Sequence, residues 1–280
     1  QVKNEEKHVW QGEITKAKVL NKVYEKLDKL NKKCDGNKYI GITIPGLADT
    51  ENGIWVYSPF SGIKNINIVD IINKRYNLPV FIENDVNACA YGEKIFGACR
   101  EINNFFWITI SNGIGGGLVL NEELYEGGFQ NAGEIGHVKV VEDGFTCGCG
   151  QKGCLEAYAA GPAIVKRYKI AAEREENNIN AEDVARFARN GDEVAAKIYE
   201  MTGKYIGKAL AGAVNIINPE KVIFGGGVSE NWDLFNQNLI QEYEKLVFKA
   251  ANEKVKIEKS GLGYEAALIG IAAIALKDSD

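Results

Sequence analysis

Histidine is scarce in this chain of 280 residues, which has two, and positive charge is outnumbered, with 33 Lys and Arg against 38 Asp and Glu. The resulting net charge of −5 gives no basic patch for nucleic acid, and no separate basic module is visible. No apolar run is long enough to span a bilayer, and no signal-peptide pattern is present. We therefore expect neither a nucleic acid nor a membrane partner.

One of the two histidines lies in a stretch that also holds three of the six cysteines. The order is His137, nine residues, Cys147, one residue, Cys149, four residues and Cys154. Three thiolates and one imidazole form a closed tetrahedral set that suits a structural zinc ion. The alternative is a tight glycine-laced turn whose cysteines serve packing alone. With these cysteines assigned to a metal, a reducing cytoplasm is the expected compartment.

Buried apolar runs alternate with segments of helical spacing along the rest of the chain. Strands are predicted over residues 7–14, 39–44, 78–82, 105–110, 221–224 and 255–257, and a hairpin over 49–57. Helices are predicted over residues 15–30, 66–76, 83–96, 162–175, 181–189, 192–217, 231–250 and 264–276. The alternation implies an α/β fold with a largely parallel sheet and with ligands at the carboxyl ends of strands.

The predicted elements fall into two domains. Residues 1–100 form an N-terminal α/β domain, to which the C-terminal helix at 264–280 returns. Residues 101–263 form a second α/β domain that carries the zinc loop.

Three loops that follow predicted strands are candidates for chemistry. Asp85 comes directly after a strand, where a carboxylate accepts the proton of an attacking hydroxyl or serves only as a helix N-cap. The glycine-rich segments Gly113–Gly117 and Gly225–Gly227 each follow a strand, so their backbone N–H groups are suited to phosphate oxygens. The alternative for Gly113–Gly117 is a β-hairpin in which the glycines serve only the tight turn.

Six motifs occur in a fixed order along the chain: Pro45-Gly46, Glu83-Asn84-Asp85-Val86-Asn87-Ala88, Gly113-Ile-Gly-Gly-Gly117, Ala132-Gly-Glu-Ile-Gly-His137, Cys147-Gly-Cys-Gly-Gln-Lys-Gly-Cys-Leu-Glu156 and Gly225-Gly-Gly-Val228. In this order they resemble the motifs of the ROK family (repressor, open reading frame, kinase), and the resemblance covers nearly the whole sequence. The resemblance implies an actin-like ATPase (ribonuclease H-like) fold of two domains with a cleft between them. It also implies a sugar kinase of the glucokinase or N-acetylmannosamine kinase type.

The resemblance assigns roles residue by residue. Asp85 is the expected catalytic base, which takes the proton of the sugar 6-hydroxyl as that oxygen attacks the γ-phosphate of ATP. The sugar-binding positions are Gly46, Asn84, Glu134, His137 and Glu156. The ATP-binding positions are Asn112, Gly113, Gly115, Gly116, Gly225, Gly226 and Gly227. Zinc on His137, Cys147, Cys149 and Cys154, magnesium that arrives with ATP, and a homodimer or homotetramer complete the expectation.

Three features depart from the kinase pattern of the family. Kinases begin with a strand and an Asp-x-Gly-Gly-Thr loop, and the printed sequence begins after the place of that loop. Ser111-Asn112 stands where Gly-Thr is usual, although the Asn amide still donates a hydrogen bond. Ser58–Ile63 replaces a Pro-Asn-Leu-x-Gly-Trp type of segment, which makes an N-acetylated hexosamine a candidate beside glucose.

The alternative is a sugar-binding sensor or regulator of the same family without catalysis. Family repressors carry an N-terminal winged helix, for which the residues ahead of position 7 leave no room, so we favour the kinase. A third possibility, an interaction module stabilised by zinc, leaves Asn84, Asp85 and both glycine segments unexplained.

Overall fold

The computed structural model describes residues 13–33, 38–58, 61–175 and 178–277. Contacts divide the chain into two compact units, one up to Asp85 together with Ile274 onward, and the other from Val86 to Ala273. This division falls earlier than the boundary predicted near residue 100, because Val86 already packs in the second unit, against Gly115. The strand predicted over residues 7–14 lies outside the described residues except for Glu13 and Ile14, which are in no strand.

Within its described residues, the first unit contains two helices and two small sheets, together with the end of a last helix. Its elements are α1 (Lys16–Lys33), β1 (Ile40–Ile44), β2 (Leu47–Asp49), β3 (Ile54–Tyr57), β4 (Lys64–Asn67), α2 (Ile68–Tyr76) and β5 (Val80–Asn84). Strands β1 and β5 pair in parallel, whereas β2, β3 and β4 form an antiparallel sheet. The core of this unit is aliphatic, and Ile44, Ile63 and Ile72 have no exposed surface.

The helix predicted from residue 66 begins two residues later, which corrects that prediction. Ile66 pairs with Trp55 in the antiparallel sheet, so the residues before Ile68 extend the sheet. The Asn67 side chain then accepts a hydrogen bond of 2.8 Å from the backbone N–H of Asp70. Asn67 is thereby the N-cap that begins α2.

The second unit combines one five-stranded sheet with several helices. Its strands are β6 (Phe105–Ile110), β7 (Ile114–Leu120), β8 (Glu123–Tyr125), β9 (Lys221–Gly225) and β10 (Lys256–Lys259). Its helices are α3 (Asp85–Phe96, which begins on the last residue of the first unit), α4 (Glu156–Ala159), α5 (Gly161–Ala171), α6 (Ala181–Arg189), α7 (Glu193–Ile217), α8 (Trp232–Leu246), α9 (Lys249–Asn252) and α10 (Ala266–Lys277, which ends in the first unit). The helix predicted over 231–250 is therefore two helices, α8 and α9, separated at Val247.

The prediction of a largely parallel sheet is wrong. In the described chain the sheet order is β10-β9-β6-β7-β8, parallel from β10 to β6 and antiparallel from β6 to β8. Residues 111–113 join β6 to β7, and residues 121–122 join β7 to β8. Connections this short allow only antiparallel pairing, because two parallel strands need a long crossover between them. Strand β8 and helix α4 have no counterpart among the predicted elements.

The core of the second unit gathers side chains from the sheet and from the helices beside it. Phe106, Phe224, Tyr168, Tyr199 and Phe235 are at most 1% exposed. None of the described helices combines the length and the apolar content that a membrane span requires.

Candidate functional site

The four predicted metal ligands come together in the second unit. The ligand atoms of His137, Cys147, Cys149 and Cys154 all lie within 4.8 Å of one another. Cys147 Sγ lies 3.7 Å from His137 Nδ1, and Cys149 Sγ lies 3.7 Å from Cys154 Sγ. A tetrahedral zinc with Zn–S bonds of about 2.3 Å places two sulfurs about 3.8 Å apart. The donor set and its spacing therefore fit a structural zinc ion.

Backbone hydrogen bonds fold the metal loop locally. Cys147 N–H donates to the Gln151 carbonyl at 2.8 Å, and Gly153 N–H donates to the Phe145 carbonyl at 2.9 Å. A bridge between Lys139 and Cys154 joins the loop to the segment that carries His137. Short-range backbone pairing thus brings together ligands that are separate in sequence.

The thiols of this cluster differ in their electrostatic surroundings. Burial raises the pKa of Cys147 to about 12, and burial also raises the pKa of Cys154. Exposed Cys149 has a lowered pKa, chiefly because of a hydrogen bond from the Gln151 backbone. A metal ion has to displace the protons of the buried thiols when it binds.

The two ring nitrogens of His137 face different groups, a predicted metal ligand and a carboxylate. Its Nδ1 faces Cys147, while its Nε2 lies 3.7 Å from Glu134 Oε2. Burial raises the pKa of Glu134, with nearby His137 opposing the shift and Glu156 adding to it. A metal on Nδ1 leaves the proton on Nε2, where it is available to a hydroxyl or carboxylate acceptor.

Glu156 contacts both the metal loop and the first glycine segment. Its Oε1 lies 3.6 Å from Cys147 Sγ, and its Oε2 accepts a hydrogen bond of 3.0 Å from Ile114 N–H. Sequence reasoning placed Glu156 near the metal and the sugar but missed the contact with Ile114. The two residues are 42 positions apart, and no local pattern relates them.

The first glycine segment is mostly strand, so the structure favours the β-hairpin alternative over a loop. Gly115, Gly116 and Gly117 pair with Thr109, Ile108 and Trp107 inside the sheet. The turn consists of residues 111–113, and Ser111 N–H donates to the Gly113 carbonyl at 2.9 Å. Of the predicted ATP-binding positions in this segment, Asn112 and Gly113 lie in the turn.

The second glycine segment lies at the same edge of the sheet as this turn. Gly225 ends β9, which runs parallel to β6, and Gly227 begins a short 3-10 helix ahead of α8. A Cβ on Gly226 would lie 2.6 Å from the Ile110 carbonyl oxygen, so the backbone approaches the end of β6 closely. Both candidate phosphate segments therefore meet at the carboxyl ends of β6 and β9.

The first unit carries a separate group of predicted site residues. Asp85 is the first residue of α3 and directly follows β5. Asn84 Nδ2 donates to the Gly46 carbonyl at 2.9 Å, and the register of β1 and β5 pairs Ile44 with Asn84. Gly46, Asn84 and Asp85 are thus brought to one end of this parallel pair.

Two buried hydroxyls lie close to this group in the chain. Ser58 and Ser61 are 2% and 5% exposed, and within the described residues their Oγ atoms have no hydrogen-bond partner. Pro59 and Phe60, in the segment that replaces the Pro-Asn-Leu-x-Gly-Trp type of sequence, lie outside the described residues.

An arginine that sequence reasoning missed lies beneath the metal loop. Arg167 is 8% exposed and donates to the Tyr158 carbonyl at 2.8 Å and to Thr202 Oγ1 at 3.0 Å. Tyr158 OH in turn accepts a hydrogen bond of 2.8 Å from Phe145 N–H in the metal loop. No sequence signal marks this pairing, because its members come from α4, α5 and α7.

Comparison with known proteins gives consistent matches over nearly the whole chain. The profile of the ROK family matches residues 1–278. The xylose repressor of Bacillus subtilis (strain 168) is 32% identical, over 94% of this chain and 67% of its own length. The glucokinase of Thermotoga maritima is 34% identical, over 92% of this chain and 85% of its own.

A solved structure gives the same result. The ROK family glucokinase from Streptomyces griseus in complex with glucose and AMPPNP superposes with a TM-score of 0.85 at 28% identity. The match covers 94% of this chain and 89% of that one. The fold and the site thus define a two-domain protein of the actin-like ATPase class with a Cys3His cluster. The chain belongs to the ROK family.

Proposed function

We propose that this protein is an ATP-dependent sugar kinase that transfers the γ-phosphate to the 6-hydroxyl of a hexose or N-acetylhexosamine. Glucose and N-acetylmannosamine are the favoured substrates. The observation that carries the proposal is the position of Asp85 at the junction of β5 and α3. It lies next to Asn84, whose side-chain amide donates a hydrogen bond to the Gly46 carbonyl. The 34% identity to a glucokinase supports it.

In this proposal Asp85 removes the proton of the 6-hydroxyl as the oxygen attacks the γ-phosphate. A carboxylate has a reference pKa of about 3.9 and is ionised at neutral pH, so it accepts a proton without prior activation. Asn84, Glu134, His137 and Glu156 hold the other sugar hydroxyls, and Gly46 lies where the backbone approaches the sugar. Phosphoryl transfer depends on such positioning more than on covalent chemistry by the protein.

The nucleotide is assigned to the glycine segments. Asn112, Gly113 and Gly225–Gly227 meet at the ends of β6 and β9, where backbone N–H groups are suited to phosphate oxygens. Gly115 and Gly116 belong to the same proposed set, from within β7. Magnesium bound with ATP would neutralise phosphate charge, and a zinc ion held by His137, Cys147, Cys149 and Cys154 would fix the orientation of the imidazole.

Substitution of Asp85 tests this proposal. Asp85→Asn keeps the size of the side chain but removes its basicity, so ADP formation with Mg-ATP and a sugar should fall about 100-fold or more. Binding of the sugar should persist. The matched control is Asp70→Asn on the exposed surface of α2, which should retain turnover. Undiminished turnover in Asp85→Asn, with the control intact, would remove Asp85 as the base.

A second candidate function is a sugar-responsive regulator, which the 32% identity to a xylose repressor favours. The two candidates differ in turnover rather than in sugar binding. We would measure ADP formation and sugar binding with glucose, N-acetylmannosamine, N-acetylglucosamine, mannose, fructose and xylose. Sugar-dependent ADP formation supports the kinase, whereas binding without turnover on any sugar supports the regulator.

A further inference from the structure

One edge of β7 lacks a strand where it approaches the glycine turn. Within the described chain, β8 pairs with β7 at Leu118–Leu120 and leaves Ile114–Gly117 without a strand on that side. Backbone groups at a strand edge need other partners when they are buried, and Ile114 is 4% exposed. One such partner is Glu156, and the segment from Gly133 to His137 packs along the same edge.

Two glycines allow that segment to lie directly on the edge. A Cβ on Gly133 would lie 2.0 Å from the Gly116 carbonyl oxygen, and a Cβ on Gly136 would lie 2.1 Å from the Ile114 carbonyl oxygen. No side chain fits at either position without displacing the strand. The backbone that leads to Glu134 and His137 is therefore packed against β7.

Glu156 accepts a hydrogen bond from the Ile114 amide at the same edge of β7. Its Oε2 accepts the Ile114 N–H at 3.0 Å, and a Cβ on Gly113 would lie 2.7 Å from that oxygen. Glycine at position 113 therefore leaves room for the carboxylate. A buried amide left without a hydrogen-bond acceptor is costly, so this contact contributes to the order of the turn.

The metal loop in turn fixes Glu156. The residue begins α4 two positions after the ligand Cys154, and Leu155 N–H donates to the Val138 carbonyl at 2.9 Å next to His137. At the start of α5, Gly161 N–H donates to the Ser111 carbonyl at 2.8 Å. The chain that follows Cys154 thus contacts the glycine turn at two points, Ser111 and Ile114.

We propose that Glu156 is a positioning residue for the glycine turn, through the Ile114 amide, in addition to its expected contact with a sugar. The same carboxylate connects the metal loop to the turn, so the order of the turn depends on occupancy of the metal site. That the turn binds a nucleotide rests on the proposed function, whereas the coupling itself does not.

Amide hydrogen exchange of Ile114, measured by NMR on the metal-loaded protein without sugar or nucleotide, tests this coupling. Glu156→Ala should accelerate exchange about tenfold or more, the effect of leaving a buried amide without its hydrogen-bond acceptor. Glu156→Gln should stay close to the wild-type rate, because its amide oxygen accepts the same N–H. Glu142→Gln, at an exposed glutamate ahead of the cysteines, is the matched control and should leave Ile114 unchanged. Slow exchange of Val222–Phe224 in β9 shows that the unit remains folded.

Equal Ile114 exchange in wild type and Glu156→Ala would overturn the proposal, as would Glu156→Gln exchanging as fast as Glu156→Ala. Removal of the metal with a chelator should also accelerate Ile114 selectively, and an unchanged rate would overturn the dependence on the metal. Affinity for Mg-ATP should fall in Glu156→Ala and persist in Glu156→Gln. If the wild-type protein binds no Mg-ATP, the proposed function fails while the exchange result still decides the coupling.

Discussion

Two of the metal ligands are buried and two are exposed. Cys147 and Cys154 lie in the interior, while Cys149 and His137 reach the surface. Because burial holds the pKa of Cys147 near 12, this thiol is protonated at neutral pH when no metal is present. The protein therefore gains a stable thiolate at this position only together with a metal ion.

At the residue scale we predict that Cys147 is required for metal binding and that Cys89 is not. The purified protein should carry about one equivalent of zinc, since a closed Cys3His set binds one ion. Cys147→Ser should lose most of it, whereas Cys89→Ser, a half-buried cysteine outside the cluster, should retain it. Metal content measured by mass spectrometry checks both. Full zinc content in Cys147→Ser would contradict the assignment.

At the scale of elements, helices α7 and α8 pack closely because α7 carries glycine at the contact. A Cβ on Gly203 would lie 2.3 Å from the Phe235 carbonyl oxygen, and one on Gly207 would lie 2.4 Å from the Leu239 carbonyl oxygen. A Cβ on Gly212, a third glycine of the same helix, would meet no neighbouring atom within 4 Å. The same residue type thus serves packing at two positions of α7 and not at the third.

These positions give a matched pair of substitutions. Gly207→Ala should lower the free energy of unfolding by about 1–3 kcal/mol, because the added methyl forces the helices apart. Gly212→Ala should raise it by up to about 1 kcal/mol, because alanine reduces the entropy of the unfolded chain and meets no obstacle. Urea unfolding followed by circular dichroism measures both. Destabilisation of equal size in the two variants would show that the close contact is not the cause.

At the scale of the whole molecule, most of each core comes from elements outside the metal loop, although Val140 and Leu155 beside that loop also belong to the second core. The core of the second unit is built mainly from β6, β9, α5, α7 and α8, and its side chains Phe224, Tyr168 and Phe235 have no exposed surface. The first unit has its own aliphatic core around Ile44 and Ile72. The predicted homodimer or homotetramer and the cytoplasmic location stay predictions.

We therefore predict that a chelator lowers the thermal unfolding midpoint without unfolding the protein at about 25 °C. A ligand that binds only the folded state stabilises it by mass action, and its removal reverses that effect. Far-UV circular dichroism at that temperature should be unchanged, in contrast to small zinc domains that unfold without metal. Cys147→Ser, the control, should show no chelator-dependent shift. Loss of helical signal on chelation would contradict the prediction.

The sequence by itself determined the local features of this protein. The metal spacing from His137 to Cys154 and the position of Asp85 after a buried strand follow from patterns within about 20 residues. The structure brings the four predicted ligands together, and it begins α3 at Asp85, two residues after the predicted start of that helix at residue 83. The ROK family was also predicted from ordered motifs, and the family profile confirms it. Such patterns are readable because periodicity, turn residues and ligand spacing act over short distances along the chain.

Only the tertiary structure decided which strands pair and which distant groups meet. Ile66 continues the helical spacing of apolar residues that predicts a helix from that position. Its pairing with Trp55 nevertheless makes it part of a strand. The glycines after Gly113 were predicted as a loop, yet they pair with β6. The contacts of Glu156 with Ile114 and of Arg167 with Thr202 join residues 42 and 35 positions apart. These outcomes depend on packing and hydrogen bonding between separate elements, which no local pattern encodes.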